Sequence, residues 1–183
     1  MTFDAGYDNG YHKSILDTLK EKNVKAAFFV DGNFIKNNAD IAKRIIEEGH
    51  YLCNHTKNHP DTTKLSTEEF KEQILGWEEI CKEYTGLEGA KFYRPPMGKF
   101  NESTLRTAKE LGYKTVFWSF AYADWKNDDQ PQKEYAINNL MERIHPGGVI
   151  LLHSTSKTNS EILGTVIDKL IGEGYRFGSL SEL

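Results

Sequence analysis

What most constrains this chain is an alternation in which short runs of β-branched and aromatic residues are separated by longer stretches with helix start and stop signals. "TFD" (residues 2–4), "KAAFFV" (25–30), "HYLCN" (50–54), "KFYR" (91–94), "KTVFWS" (114–119), "GGVILLH" (147–153) and "YRFGSL" (175–180) read as strands. Between them, Ser66 with Glu69 makes a capping box ahead of "FKEQILGWEEICKEY", and Asn101 can cap "STLRTAKELG". Gly49, Gly86, Gly112 and Gly174 each stand where a helix should stop. Such a βα repeat builds a mainly parallel sheet, so the fold class is α/β. The 183 residues hold no low-complexity linker and no shift in composition, which reads as one domain over 1–183. The chain opens on a motif, so the pattern is compatible with a segment missing ahead of Met1.

In βα folds, chemistry collects in loops after the carboxyl ends of the strands. The residues there are Asp4, His55, His59, Arg94, Asp124, Trp125 and His153. A single Asp or His at a strand end is usually a cap or a satisfied polar group, and an Asp followed by a small residue and Gly, as in Asp4-Ala5-Gly6, is often only a turn. Six ionisable groups at the strand ends of one sheet are harder to dismiss.

Charge narrows the substrate. The 23 basic and 27 acidic residues are interspersed and the net charge is -4, so no basic face offers itself to nucleic acid, and an uncharged polymer fits better. Aromatic residues make up 12%, enough for a sugar-stacking groove, though a filled core also uses them. Cys53 and Cys81 lie in differently patterned segments and read as buried free thiols. No apolar run reaches membrane-spanning length, and no leader pattern opens the chain.

"HTKNH" places His55 and His59 four apart, so that in one helical turn both imidazoles face one way, as two metal ligands must. Pro60 limits any helix there to a single turn. The plain alternative is a polar loop. His12, His50 and His145 lack a partner at such spacing and read as surface or structural residues. In "YRPPMGKF" the two prolines stiffen the backbone beyond Arg94, whose fork can pin a carboxylate and hold it ionised. "GGVILLHS" ends a buried strand on His153, suited to a general acid. A structural ion pair and a capped strand are the plain readings of these two. Together the groups make base, orienter, acid and metal pair, a set for metal-assisted hydrolysis of an amide or ester.

"TFDAG", "HTKNH", "RPPMG", "ADW" and "LLH" occur in the order and approximate spacing of the five motifs of polysaccharide deacetylases, carbohydrate esterases that remove acetyl groups from chitin, xylan and peptidoglycan. The resemblance covers essentially the whole chain. It implies a distorted (β/α) barrel of about seven strands with a catalytic groove at their carboxyl ends. Position by position, Asp4 resembles the catalytic base, His55 and His59 the metal ligands, and Arg94 the residue that orients the base. Met97 stands where the family supplies a backbone oxyanion donor. Asp124 is similar to the acid that tunes the general acid His153, and Trp125 and Leu151 to groove and acetate-pocket walls. The implied cofactor is a divalent metal, zinc first, and the implied partner a glycan strand met by a monomer in the cell envelope or outside the cell.

One position departs from the pattern. The family motif carries a second Asp after the base, the metal's anionic ligand, and here that place is Ala5. Either two histidines with water or another group hold the metal weakly, or the activity is lost. "TFDAGYDNGY", "FYRPPMGKFNE" and "FWSFAYADW" resemble the peptidoglycan deacetylases that act on N-acetylmuramic acid on the way to muramic δ-lactam in spore cortex, a subfamily in which that Asp is commonly replaced. This favours an active enzyme. The rival readings are an N-acetylglucosamine or chitin-oligomer deacetylase, an inactive carbohydrate-binding relative, and a glycosidase using Asp4 and Asp124, which would leave the histidine pair idle.

Overall fold

The computed structural model describes all 183 residues, Met1–Leu183. Six strands, β1 (Thr2–Ala5), β2 (Ala27–Val30), β3 (Tyr51–Asn54), β4 (Ala90–Tyr93), β5 (Lys114–Thr115) and β6 (Leu151–His153), alternate with seven helices, α1 (His12–Glu21), α2 (Gly32–Asn37), α3 (Ala39–Glu47), α4 (Thr67–Thr85), α5 (Glu102–Glu110), α6 (Lys133–Arg143) and α7 (Lys157–Gly172). The sheet order is β5-β4-β3-β2-β1-β6. The β1–β6, β3–β4 and β4–β5 pairs are all parallel, so the α/β class expected from the alternation is the one observed. Ser66 and Glu69 form the capping box at the start of α4, and Asn101 caps α5 through the Thr104 N–H. The backbone of Gly86 closes α4 in the left-handed region that glycine enters without steric cost.

The strand count is six, not about seven. "YRFGSL" forms no strand; it runs into a 3-10 turn, Leu180–Glu182. Ser179 caps that turn and Glu182 reaches back to the Ser179 N–H at 2.6 Å, a capping box with the same S-x-x-E signature as Ser66 and Glu69. "KTVFWS" keeps only two strand residues, because beyond Thr115 the carbonyls of Val116 and Phe117 accept side-chain hydrogen bonds from Arg94 rather than ladder bonds.

By packing, the chain falls into two compact units, one of Met1–Asp4, Asp8–Ala27 and Trp118–Leu183, the other of Ala5–Tyr7 and Phe28–Phe117. In the first, β1 and β6 pair with Thr2 opposite Leu151, Phe3 opposite Leu152 and Asp4 opposite His153. Helices α1 and α6 each pack on α7, and Ile15, Leu16 and Leu19 of α1 are buried with Ile162, Leu163, Val166 and Ile167 of α7. In the second, α4 packs on α2, α3 and α5. Trp77 of α4 is fully buried; its indole N–H donates to Val30 O at 2.7 Å, and a Cβ at Gly89 would stand 2.4 Å from its ring. Trp77→Ala removes that bond and leaves a cavity the rigid β2 backbone cannot fill. Urea unfolding should show a loss of about 3–5 kcal/mol; a loss well under 1 kcal/mol would mean that Trp77 does not anchor this unit. Cys53 and Cys81 are buried free thiols, as expected.

Candidate active site

In the first unit, the strand register sets a carboxylate beside an imidazole. Asp4, the last residue but one of β1, stands opposite His153 at the end of β6, and neighbouring strands lie only about 4.8 Å apart. The Asp4 carboxylate is nearly buried and the His153 side chain is 24% exposed. Leu151, two residues before His153, shares its face of β6.

His153 is gripped by Asp124, which has no solvent exposure. The His153 backbone N–H donates to Asp124 Oδ2 at 2.8 Å, and the ring Nδ1 lies 2.7 Å from Asp124 Oδ1. A buried carboxylate accepts, so Nδ1 carries the proton and proton exchange with a bound molecule falls to Nε2. Asn159, in the first turn of α7, donates to Asp124 Oδ2 at 2.6 Å and to His153 O at 3.1 Å, and the Tyr122 hydroxyl donates to the Asn159 carbonyl oxygen. Gln130 donates to Asp124 O at 2.9 Å and accepts from Ser156, the N-cap of α7. Burial above all, with the Asp124 charge adding, raises the Tyr122 pKa and keeps it a neutral donor. Trp125 is 51% exposed, its ring 5.6 Å from that of His153. Tyr122, Gln130, Ser156 and Asn159 were not legible as site residues; the sole sequence cue is the helix-start signal at Ser156.

In the second unit, the histidine pair forms without a helix. The expected helical turn is absent; instead Thr56 (φ 71°) and His59 (φ 55°) adopt left-handed backbone. That conformation is costly for a β-branched residue, and side-chain hydrogen bonds stabilise it: Asn54 Oδ1 accepts from Thr56 N–H at 2.8 Å and Thr56 Oγ1 from His59 N–H at 2.9 Å. The two imidazole centroids are 4.9 Å apart. His55 Nδ1 donates to Arg94 O at 2.8 Å, which makes Nε2 the ring's acceptor, the tautomer that metal-binding imidazoles use. His59 is exposed, which gives an ion access.

Arg94 is fully buried, donates from Nε to Val116 O at 3.2 Å and from Nη2 to Phe117 O at 3.3 Å, and lies 4.0 Å over the Phe29 ring. Met97 follows at φ 57°, and its N–H donates to no protein acceptor. Asp31, just past β2, caps α2 through the Phe34 N–H at 2.7 Å; burial raises its pKa, against the helix-cap bonds and the opposing pull of His59.

The donor set fits a metal in part. The imidazole pair suits a divalent ion, but as placed no three His, Cys, Asp or Glu side chains are grouped to hold one. His12 links Asp8 at 2.7 Å to Ser154 at 2.7 Å in a Ser-His-Asp line. Both Ser154 and His12 have no exposure, and burial lowers the His12 pKa, so this line ties α1 to the residue after His153 and reaches no substrate. Its role is structural. The glycosidase alternative fails on Asp124, whose oxygens are buried and occupied by His153 and Asn159.

A family model for polysaccharide deacetylase matches residues 1–116. The peptidoglycan-N-acetylmuramic acid deacetylase PdaA of Bacillus subtilis is 40% identical over 183 residues, all of this chain and 70% of that protein. Its structure, a family 4 carbohydrate esterase, superposes with a TM-score of 0.95 at 41% identity, over all of this chain and 78% of that one. A peptidoglycan-N-acetylglucosamine deacetylase of Bacillus cereus is 37% identical over 187 residues, all of this chain and 66% of that protein. A family 4 pseudoenzyme from Bacillus anthracis superposes with a TM-score of 0.91 at 31% identity, over all of this chain and 63% of that one.

Proposed function

Because the chain belongs to the polysaccharide deacetylase family, we propose that it is a peptidoglycan N-deacetylase that removes the acetyl group of N-acetylmuramic acid residues, on the route to muramic δ-lactam in spore cortex. The observation that carries this is the 40% identity, across the whole chain, to an enzyme named for that reaction. Fold alone does not make an enzyme, as the pseudoenzyme relative illustrates. Activity here is supported by the complete relay of Asn159, Asp124 and His153 beside Asp4.

In this reading residues 1–183 work as one catalytic domain. Asp4 takes the proton of the attacking water. Arg94 is the residue that orients the base, and the Met97 N–H donates to the developing oxyanion. His153 Nε2 then protonates the departing sugar amine, while Asp124 stabilises the imidazolium that precedes transfer. Trp125 and Leu151 wall the sugar and the acetyl group. His55 and His59 would hold a divalent metal, zinc first, which would supply a Lewis acid and lower the pKa of water. The partner is a glycan strand, and the protein acts as a monomer in the cell envelope or outside the cell. No helix is long and apolar enough to cross a membrane.

Incubating the zinc-loaded protein with glycan stripped of stem peptides, and with intact peptidoglycan, should release acetate faster from the stripped polymer. Mass spectrometry should find the lost acetyl group on muramic acid. Loss confined to glucosamine would establish the N-acetylglucosamine reading, represented among the relatives by the Bacillus cereus enzyme. No release from either polymer would leave an inactive relative.

A further inference from the structure

The His153–Asp124 pair is joined at one amide to a third element. Asn159 stands in the first turn of α7, where Ser156 caps the helix by accepting from the Asn159 backbone N–H at 3.1 Å. The cap uses none of the Asn159 side chain. That side chain has no solvent exposure, and its bonds all run to the groups around His153. Its two N–H groups meet two acceptors, Asp124 Oδ2 at 2.6 Å and His153 O at 3.1 Å, and its carbonyl oxygen accepts from the Tyr122 hydroxyl. Acceptors on one side and a hydroxyl on the other fix which way the amide faces. Tyr122 lies two residues before Asp124, so the segment that supplies the carboxylate, the end of β6 and the start of α7 all meet at Asn159.

We propose that Asn159, held by Tyr122, is a positioning residue for the deacetylation, fixing the Asp124 carboxylate against His153 and so the imidazole that donates the proton. This role rests on the reading of His153 as the general acid. Being fully buried, Asn159 touches no substrate and acts through its neighbours. Two donors on Asp124 Oδ2, one from β6 and one from α7, leave the carboxylate one orientation, in which Oδ1 meets His153 Nδ1 at 2.7 Å. A buried amide is costly unless every one of its groups is bonded, and an apolar side chain would fill the space without that cost. Fully bonded, as here, such a network rigidifies what it holds.

Acetate release from stripped glycan by Asn159→Ala, Tyr122→Phe, His153→Ala and the double variant of Asn159→Ala with His153→Ala tests this. Asn159→Ala should lower kcat by about tenfold or more, the cost of a misplaced reacting group, with KM nearly unchanged. Tyr122→Phe keeps the ring and loses only the hydroxyl, and it should lower kcat in the same direction by a smaller factor. In the His153→Ala background, Asn159→Ala should cost nothing further, because the group it positions is gone. Nitrogen NMR of the imidazoles reads the same effect without substrate: neutral His153 should carry its proton on Nδ1 in wild type and divide it between both ring nitrogens in Asn159→Ala. If His153→Ala loses turnover while Asn159→Ala keeps the wild-type kcat, the general-acid reading stands and the assignment of Asn159 is overturned. Should Asn159→Ala fail to fold, a wild-type kcat in Tyr122→Phe overturns it instead. An equal proportional loss from Asn159→Ala with and without His153 would likewise make its role structural only. If His153→Ala keeps its turnover, or wild type has none, the general-acid reading fails and this role falls with it.

Discussion

Replacing His153 with alanine is expected to lower acetate release from stripped glycan by about 100-fold or more, the usual cost of losing a positioned proton-transfer group. The fold should survive. The His153 backbone N–H still answers Asp124 Oδ2, Asn159 still donates to the same oxygen, and only Oδ1 loses a donor. A melting temperature within a few degrees of wild type, together with lost turnover, would separate chemistry from stability. A variant with near-native turnover would remove His153 from the reaction and leave Asp124 as a structural carboxylate.

The second large effect is expected at Asp4. Asp4→Asn is isosteric and leaves the β1–β6 register and the Ser154 N–H bond to the residue 4 carbonyl intact. Its amide cannot take a proton from water, so turnover should again fall by about 100-fold or more, with zinc affinity changed far less. Raising the pH should not recover it, because an amide has no ionised form to regain. Retained turnover in Asp4→Asn would mean that another group activates the water.

What was legible in the sequence follows from range. Capping boxes, helix stops and alternating strands are written within a few residues, and those at Ser66 and Asn101 appear as read. Where a local signal was overruled, a specific competitor is visible. Arg94 takes the carbonyls that would have continued β5, and the Ser179 cap turns the chain where aromatic content favoured a strand. At His55 and His59 the geometry is not helical; left-handed Thr56 and His59, stabilised by side-chain bonds, bring the two ring centroids to 4.9 Å. The grip on His153 was illegible because its parts lie 29 and 35 residues from Asp124 along the chain, and nothing in "KTNSE" marks Asn159 as a partner.

The short β5 has a bearing on solubility. It stands at one end of the sheet order and has only two residues. An outermost strand with unanswered carbonyls is a template for a strand of another molecule, the first step of edge-to-edge aggregation. Arg94 occupies the next two carbonyls and so cuts that template short. The guanidinium proposed to aim the base is thus also what ends the outermost strand of the sheet after two residues.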